Sequence, residues 1–336
     1  MTIGYGTPIE EIHCSPSVIP QHIYAADTPF ILRGLVADWP IVKTSADSDQ
    51  AVVDYLKTFY NGQPVSAFMA MPEASGRIFY NESLDGFNFV QSEVYLDDAL
   101  NKIIEIADQP SQPTYYVGSL EIKNHLPGFS EQNKLDLERS DIRESIWLGN
   151  QSVVAPHFDF PDNLACCVAG ERRFTLFPPE QQQSLYIGPL DFTPAGQPIS
   201  MVDINHPDLK KHPRFEYAMC SAKTATLKPG DAIFIPSMWW HSVESLGALN
   251  GLVNYWWRDT PSYLGAPNNA LLHAIMSIKH LPKRQREAWQ NIFNNYVFDQ
   301  PEDMYDHLPD QVKQKQATMN ETTAHKLRTQ LINKLK

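Results

Sequence analysis

The stretch PGDAIFIPSMWWH occupies residues 229–241 and has the pattern of a turn followed by a short buried strand. Four apolar residues follow the Asp after the Pro-Gly pair, and Pro236 ends the run before two tryptophans and a histidine. Similar apolar runs, bounded by Pro, Gly, Asn and Asp, lie at residues 115–117, 146–148, 164–168, 174–177, 224–227 and 252–257. Many short strands with turn residues between them are typical of a β-sandwich or a jelly roll. The sequence therefore predicts a mainly-β fold from residue 114 to residue 259.

Three residues with metal-binding side chains lie in this β region. His157 and Asp159 are two positions apart in the segment APHFDF, residues 155–160, so an extended chain places both side chains on one face. His241 follows the buried strand of residues 229–241. Two histidines and one carboxylate form the facial triad of non-haem Fe(II) oxygenases, which leaves coordination positions open. The sequence thus indicates a metal site, with ordinary surface or core histidines as the alternative.

Helices are predicted on both sides of the β region, and a long insertion within it. Apolar residues at helical spacing predict helices over residues 51–60, 96–107, 269–280, 282–297 and 321–335. A Pro-rich link, residues 109–113, closes the N-terminal section. Residues 181–215 are also rich in proline, which predicts a long, partly irregular insertion. Long loops of this kind are often functional.

The predicted C-terminal helices have broad apolar faces. Trp289, Ile292, Phe293 and Tyr296 lie on one such face. A face this broad must be covered by other apolar groups. It packs either on the β region or against a second copy of the chain, and the packing rule favours neither.

The composition is that of an ordinary globular protein, with 43% hydrophobic and 20% charged residues. No stretch approaches the ~18 apolar residues of a membrane span, and the first residues lack the pattern of a signal peptide. We therefore expect a cytoplasmic protein without a membrane segment. The net charge is −12, with the acidic excess in residues 1–266, which makes general nucleic-acid binding unfavourable.

Four cysteines are present, at positions 14, 166, 167 and 220, without a C-x-x-C spacing. A disulfide framework or a structural zinc ribbon is therefore disfavoured. We expect all four to be reduced, buried thiols.

Several short motifs together resemble the cupin-like JmjC family of Fe(II)- and 2-oxoglutarate-dependent oxygenases. They are WLG at 147–149, PHFD at 156–159, LFPP at 176–179, PGD at 229–231, WWH at 239–241 and VNYW at 253–256. The resemblance covers about residues 28–258 and is greatest to the asparaginyl hydroxylase of that family that acts on hypoxia-inducible factor. It implies a double-stranded β-helix, or jelly roll, with an N-terminal α/β extension and C-terminal helices.

The resemblance also implies roles for individual residues. His157, Asp159 and His241 match the iron ligands, and Tyr116 matches a contact to the distal carboxylate of 2-oxoglutarate. Asn163 and Asn254 match asparagines that line the pocket for metal and cosubstrate, and Trp256 matches one of its walls. The tryptophans at 239, 240, 256 and 257 are expected to exclude water from the site or to pack in the core.

The sequence departs from the asparaginyl hydroxylase at the cosubstrate site. Arg172 stands where that enzyme has a lysine for the distal carboxylate, and Val154 replaces an assisting threonine. Arginine can bind a carboxylate through two parallel hydrogen bonds, so the role is chemically retained. Strand alternation puts Arg172 and Arg173 on opposite faces. The resemblance implies that Arg172 is on the inner face, where a guanidinium requires an anion. An internal ion pair with Asp or Glu is the alternative.

The expected organisation has three parts. Residues 1–110 form the α/β extension, residues 111–262 the catalytic jelly roll, and residues 263–336 a helical region that resembles a dimerisation region. The implied activity is hydroxylation of a C–H bond with Fe(II), 2-oxoglutarate and O2, on a protein or peptide side chain, with an RNA base or a small molecule as alternatives. A non-enzymatic cupin-like metal- or ligand-binding protein is the rival from another class.

Overall fold

The structure is a computed structural model that describes residues 6–109, 111–194, 196–317 and 319–335. The Pro-rich link is therefore described without Pro110, and the first five residues, within the predicted extension, lie outside the described residues. The chain divides into two compact units, Met1–Arg258 and Asp259–Lys336. Each unit is described by itself.

The first unit contains all the strands found in the described residues. In chain order they are β1 (Thr7–Pro8), β2 (Glu10–His13), β3 (Phe30–Arg33), β4 (Val65–Ala70), β5 (Arg77–Ile78), β6 (Phe89–Val94), β7 (Thr114–Glu121), β8 (Arg143–Gly149), β9 (Ser152–Phe158), β10 (Asp162–Ala169), β11 (Arg172–Phe177), β12 (Lys223–Leu227), β13 (Ala232–Ile235), β14 (Trp240–Ser245) and β15 (Asn250–Trp257).

The helices of the two units follow the same chain order. Those of the first unit are α1 (Pro40–Ser45), α2 (Asp49–Lys57), α3 (Leu96–Ile106), α4 (Ile122–His125), α5 (Phe129–Gln132) and α6 (Phe215–Ser221). Those of the second unit are α7 (Pro267–Ile278), α8 (Lys283–Phe293), α9 (Asp310–Ala317) and α10 (Glu321–Leu335). A π-helical turn, Asn294–Phe298, follows α8 directly.

The strands form two sheets. The smaller sheet has the order β1-β12-β11-β14-β9-β5, and the larger one has the order β2-β3-β13-β10-β15-β8-β7-β4-β6. The eight strands from β8 to β15 account for four neighbouring strands in each sheet. Successive strands alternate between the two sheets, except that β11 and β12 are neighbours in the smaller one. This is the arrangement of a jelly roll. The mainly-β fold predicted from the sequence is confirmed, and strands from the N-terminal section extend both sheets.

A hydrophobic core fills the space between the two sheets. Phe174, Leu176 and Val243 of the smaller sheet pack against Cys167 and Leu252 of the larger one. Successive side chains of a strand point to opposite faces, so the alternate apolar residues of the larger sheet face outward. These outward residues, such as Trp257, pack with the N-terminal helices.

The N-terminal helices form because each has one apolar face. The five buried residues of α3 (Leu96, Ala99, Leu100, Ile103 and Ile106) follow the helical period. Ser48 caps α2, since its side chain accepts a hydrogen bond from the backbone N–H of Ala51. The predicted helix over residues 96–107 is confirmed within one residue, and the one over residues 51–60 begins two residues earlier and ends three residues earlier.

The insertion between β11 and α6 covers the outer face of the smaller sheet. Leu185, Val202 and Phe215 pack there against Phe177 and Trp240. Apart from one 3-10 turn and an isolated bridge between Ile187 and Ser200, its described residues are irregular, as predicted.

The second unit consists of helices with few buried side chains. Among its described residues Ala324 alone is buried, whereas large apolar side chains are exposed, with Trp289 at 43% and Tyr296 at 59%. The predicted helix over residues 321–335 is confirmed at both ends, and α9 was not predicted. Within the described part of the chain, no helix is long and apolar enough to cross a membrane.

The four cysteines are free thiols, but the expectation that all four are buried is wrong. Cys166 and Cys167 lie on β10 and are buried, Cys14 is half-buried, and Cys220 is exposed on α6. Cys220 is exposed because α6 buries only Phe215 and Ala218.

Candidate metal centre

His157, Asp159 and His241 meet at one end of the smaller sheet. His157 on β9 and His241 on β14 are direct partners across the antiparallel ladder, and their ring centroids are 4.3 Å apart. Asp159 follows β9, and one of its carboxylate oxygens lies 3.7 Å from Nε2 of His241. One ligand atom from each residue lies within 4.8 Å of the other two. The structure thus brings together the three residues that the sequence singled out.

A bulge in β9 turns His157 toward the interior. His157 pairs with His241 and Val154 pairs with Val243, so three steps on β9 oppose two steps on β14. The extra residue lets Val154 and His157 share the inner face, which strict alternation would not allow. Pro156 lies in this bulge, where its missing N–H costs no ladder hydrogen bond. The bulge is further held by the backbone N–H of Ser200, which donates to the carbonyl oxygen of Pro156 at 2.8 Å.

Backbone hydrogen bonds orient both imidazole rings. Nδ1 of His157 lies 2.9 Å from the carbonyl oxygen of Ala155, and Nδ1 of His241 lies 3.0 Å from that of Trp239. A carbonyl oxygen only accepts, so each Nδ1 carries the proton and each Nε2 presents its lone pair. Burial, reinforced by the neighbouring His157, lowers the pKa of His241 to about 4. His241 is therefore neutral at pH 7, which is the form that binds metals.

This donor set fits a divalent metal ion. Two imidazole nitrogens and one carboxylate suit Fe(II) and leave coordination positions open for other ligands. The Asp159 side chain is 24% exposed and that of His241 is 4% exposed, so the site is reached from the carboxylate side.

Arg172 is a buried cation on the inner face of the smaller sheet. It is 1% exposed and shares its face of β11 with Phe174 and Leu176, as strand alternation predicted. Its Nη2 donates to the carbonyl oxygen of Trp147 at 3.4 Å, and its buried Nε has no hydrogen-bond partner. Among the described residues, no Asp or Glu forms an ion pair with it. Burial lowers the pKa of this guanidinium. The site is thus suited to an anion.

Tyr116 on β7 lies within electrostatic range of Arg172. Burial raises the pKa of Tyr116 to about 12, the charge of Arg172 opposes that rise, and Asp159 adds to it. The phenol is therefore protonated at neutral pH and can donate a hydrogen bond. The phenol thus interacts electrostatically with both the buried cation and the candidate ligand carboxylate.

Trp147 links Tyr116 to Trp256. Its ring centroid is 5.6 Å from that of Tyr116 and 6.2 Å from that of Trp256. Gly118 makes room for this ring, since a Cβ at that position would lie 1.9 Å from Cε3 of Trp147. In the sequence, Trp147 belongs to the WLG motif, but no local pattern predicts its contacts with Tyr116 and Trp256.

Asn163 and Asn254 lie on neighbouring strands of the larger sheet and bind each other. Nδ2 of Asn254 donates to Oδ1 of Asn163 at 2.8 Å. Oδ1 of Asn254 and Nε1 of Trp256 are buried without a partner in the described residues. Buried polar atoms of this kind normally bind a ligand or water. Nε of Arg172 is a third buried atom of this kind.

The four tryptophans do not form one wall around the site. Trp240 and Trp257 pack on the outer faces of the two sheets, and Trp239 lies in the core with its Nε1 donating to the carbonyl oxygen of Asp27. Trp256 alone of the four neighbours Trp147. For Trp239, Trp240 and Trp257 the expectation of a water-excluding wall is therefore wrong, and core packing explains them.

Comparison with known proteins shows the family. The model of the cupin-like domain family matches residues 16–263. The chain is 27% identical over 296 residues to HSPB1-associated protein 1 from Homo sapiens, which covers 82% of this chain and 57% of that protein. It is 34% identical over 116 residues to lysine-specific demethylase JMJ31 from Arabidopsis thaliana, covering 34% of this chain and 21% of the demethylase.

A third relative is tRNA wybutosine-synthesizing protein 5 from Mus musculus. It is 25% identical over 267 residues, which is 72% of this chain and 75% of that protein. The chain spans little more than half of the human relative and a fifth of the Arabidopsis one. The family match covers most of the chain and includes the whole jelly roll. The chain therefore belongs to the cupin-like domain family of JmjC type.

Proposed function

We propose that this protein is an Fe(II)- and 2-oxoglutarate-dependent dioxygenase that hydroxylates a C–H bond. The observation that carries the proposal is the buried Arg172, which has no carboxylate partner among the described residues and lies on the same sheet face as His157 and His241. A metal triad alone would serve many proteins. A triad with a buried cation on the same sheet face suits a cosubstrate that is a dicarboxylate and binds a metal. Family membership supports the same oxygenase class.

The roles of the residues follow from their chemistry. We propose that Nε2 of His157, Nε2 of His241 and the carboxylate of Asp159 hold the iron. Arg172, with Tyr116 as a further donor, would bind the distal carboxylate of 2-oxoglutarate. Asn163, Asn254 and Trp256 would line the cosubstrate site. When bound, Fe(II) and 2-oxoglutarate supply the activation of O2, which no side chain can provide alone.

A protein or peptide side chain is the substrate class that we propose. The name of the Arabidopsis relative is that of a lysine-specific demethylase, and the name of the human relative refers to an associated protein, HSPB1. The resemblance to asparaginyl hydroxylases supports hydroxylation as the reaction. The acidic net charge of −12 suits a basic or neutral peptide segment.

An RNA substrate is a second candidate, favoured by the mouse relative named for tRNA wybutosine synthesis. The same acidic charge weighs against it, because a phosphate backbone is repelled by an acidic surface.

A non-enzymatic metal-binding cupin is a third candidate. The replacement of a family threonine by Val154 favours it, since a hydrogen-bonding group is lost from the inner face beside the ladder pair of histidines.

We also propose that the second unit mediates a homodimer. Its helices expose large apolar side chains, including Leu271, Leu272, Trp289 and Ile292, while burying Ala324. Apolar surface of this extent marks an interaction site. A second copy of the chain offers the same apolar helices and would cover it with twofold symmetry.

The catalytic proposal is tested by anaerobic spectroscopy. Fe(II) and then 2-oxoglutarate are added to the metal-free protein, and a weak visible charge-transfer band is expected only when both are present. Succinate formed after O2 is admitted measures turnover. The Asp159→Ala variant is the negative control, and Arg173→Ala is the matched surface variant. Iron binding without the band would favour the metal-binding cupin instead.

A further inference from the structure

The loop that carries Asp159 is joined to the turn before His241 by three hydrogen bonds. The N–H of Met238 donates to the carbonyl oxygen of Asp159 at 2.9 Å. The N–H of Ser237 donates to Oδ1 of Asp162 at 2.8 Å, and its hydroxyl donates to the carbonyl oxygen of Phe160 at 2.6 Å. Two adjacent residues of the turn thus bind three residues of the loop. Ser237 provides two of the three donors.

Asp159 needs such support because the strand ladder does not reach it. The last pair of the ladder between β9 and β14 joins Phe158 to Trp240. His157 and His241 are fixed to each other within that ladder, whereas Asp159 lies one residue beyond it. The distance between Asp159 and His241 is therefore set by the loop and the turn.

The carboxylate of Asp159 has little support of its own. Within the part of the chain that the structure describes, no group donates a hydrogen bond to either of its carboxylate oxygens. Carboxylate ligands of metals are usually oriented by a hydrogen-bonding partner. Here the orientation must come through the backbone. The Met238 N–H binds the carbonyl oxygen of Asp159, and the Ser237 hydroxyl binds that of the following residue, Phe160.

The turn has an unusual backbone conformation. Met238 has a φ of 69°, in the left-handed region that side chains other than Gly and Asn rarely adopt. Such a conformation persists only where the surrounding structure fixes it. In this turn it allows the successive N–H groups of Ser237 and Met238 to bind the same loop.

We infer that Ser237 is a positioning residue of the metal centre. Its hydroxyl and its N–H hold the 159–162 loop so that the Asp159 carboxylate faces Nε2 of His241. The inference rests on the proposed function, because it assumes that His157, Asp159 and His241 bind a metal. It adds a residue that touches neither metal nor cosubstrate and controls the third ligand through the backbone.

The test titrates the metal-free full chain with Co(II) and follows the visible absorption of the bound ion. The temperature is kept far below the thermal midpoint of the metal-free protein. Ser237→Ala removes the hydroxyl and is expected to weaken Co(II) binding by about 10-fold, the lower end of the range for changes beyond the ligands. Ser237→Thr keeps the hydroxyl and is expected to retain the wild-type affinity.

Ser45→Ala is the matched control. Ser45 is also half-buried, and its hydroxyl donates to the carbonyl oxygen of Val42 at 2.7 Å in α1. Both alanine variants should lower the thermal midpoint of the metal-free protein by similar amounts, but only Ser237→Ala should lose metal affinity. If Ser237→Ala does not fold, Ser237→Cys replaces it, since a thiol is a weak donor of similar size.

Two results would overturn the inference while leaving the proposed metal site in place. Wild-type affinity in Ser237→Ala would show that the hydroxyl does not position Asp159. Equal losses in Ser237→Ala and Ser237→Thr would show that the hydrogen bond is not the cause. A wild-type protein that binds no Co(II) would overturn the proposed metal site itself and this inference with it. That result is distinct from the first two, in which the wild-type protein binds Co(II).

Discussion

Arg172 and Arg173 are neighbours in the chain and lie on opposite faces of the same strand. Arg172 is buried without a carboxylate partner among the described residues, whereas Arg173 binds the carboxylate of Glu244 on the outer face. Removal of the Arg172 side chain therefore tests the buried cation, and removal of the Arg173 side chain, one position away, is the matched control.

Arg172→Ala should raise the apparent KM for 2-oxoglutarate by roughly 10- to 100-fold, the equivalent of a lost charged hydrogen bond. Arg173→Ala should change it less than about 2-fold, because a partly exposed ion pair contributes little. Iron content should be unchanged in both. Succinate release measured against 2-oxoglutarate concentration checks this. Equal effects in the two variants would contradict the assignment of Arg172.

His157→Ala, His241→Ala and Asp159→Ala should each weaken iron binding by about 100-fold or more, since a direct ligand should matter at least as much as the partners around it. The fold should persist, because the core between the sheets is formed by apolar residues such as Phe174 and Leu252. Bound iron and the thermal midpoint are measured for each variant. His206→Ala, at an exposed histidine, is the control. Full iron occupancy in His157→Ala would refute the metal site.

Thiol labelling should separate the cysteines. Cys220 is exposed and should react with iodoacetamide in the native protein, whereas Cys166 and Cys167 should react roughly 100-fold more slowly, through unfolding. Burial raises the pKa of Cys167 to about 12, so the folded protein should not be labelled there even at pH 9. Labelling of Cys167 at that pH should come from the unfolded fraction, whose thiol has an ordinary pKa of about 8.5. Mass spectrometry of peptides from native and urea-treated protein locates the label. Rapid native labelling of Cys167 would contradict its burial.

Replacing Trp289 and Ile292 together by Glu should convert a dimer into a monomer, because two charges would enter the apolar contact. Light scattering of the wild-type chain should give twice the 38.1 kDa of one chain. The double change of Gln285 and Gln290 to Glu, also exposed in α8, adds the same charge without removing apolar groups and should leave the dimer intact. A wild-type protein that stays monomeric at high concentration would contradict the proposed dimer.

The sequence predicted most of the jelly roll because its strands are apolar runs with clear turn residues between them. It did not predict β4 and β6, although both belong to the larger sheet. Four of the six residues of β6 are exposed, so the strand lacks the apolar run on which recognition depends. Likewise, α9 is too polar to show a helical stripe. An edge strand such as β6 is stabilised by pairing with its neighbour, which a local pattern does not contain.

The candidate site was predicted in composition but not in geometry. Period-two spacing correctly grouped His157 with Asp159, but it could not reveal the bulge that puts Val154 on the same face as His157. Alternation separated Arg172 from Arg173, and the family resemblance indicated which of the two faces inward. The lack of a carboxylate partner for Arg172 in the described residues depends on the long-range packing of both sheets. The ring of Trp147 contacts residues 31 and 109 positions away in the chain. The hydrogen bonds between the turn at Ser237 and the Asp159 loop span 75 to 79 positions. Short sequence motifs do not contain contacts of this range.

The hydrogen bond from Ser200 to Pro156 has an evolutionary consequence. It ties the long insertion to the residue directly before His157. Loops that carry no ligand usually accept changes in length and sequence freely. Here a change in the insertion would reach the backbone beside a candidate ligand without altering any residue of the centre. Diversification of such a centre among relatives can therefore proceed through the insertion, and a chimaera that exchanges residues 181–215 would transfer part of the site's behaviour with it.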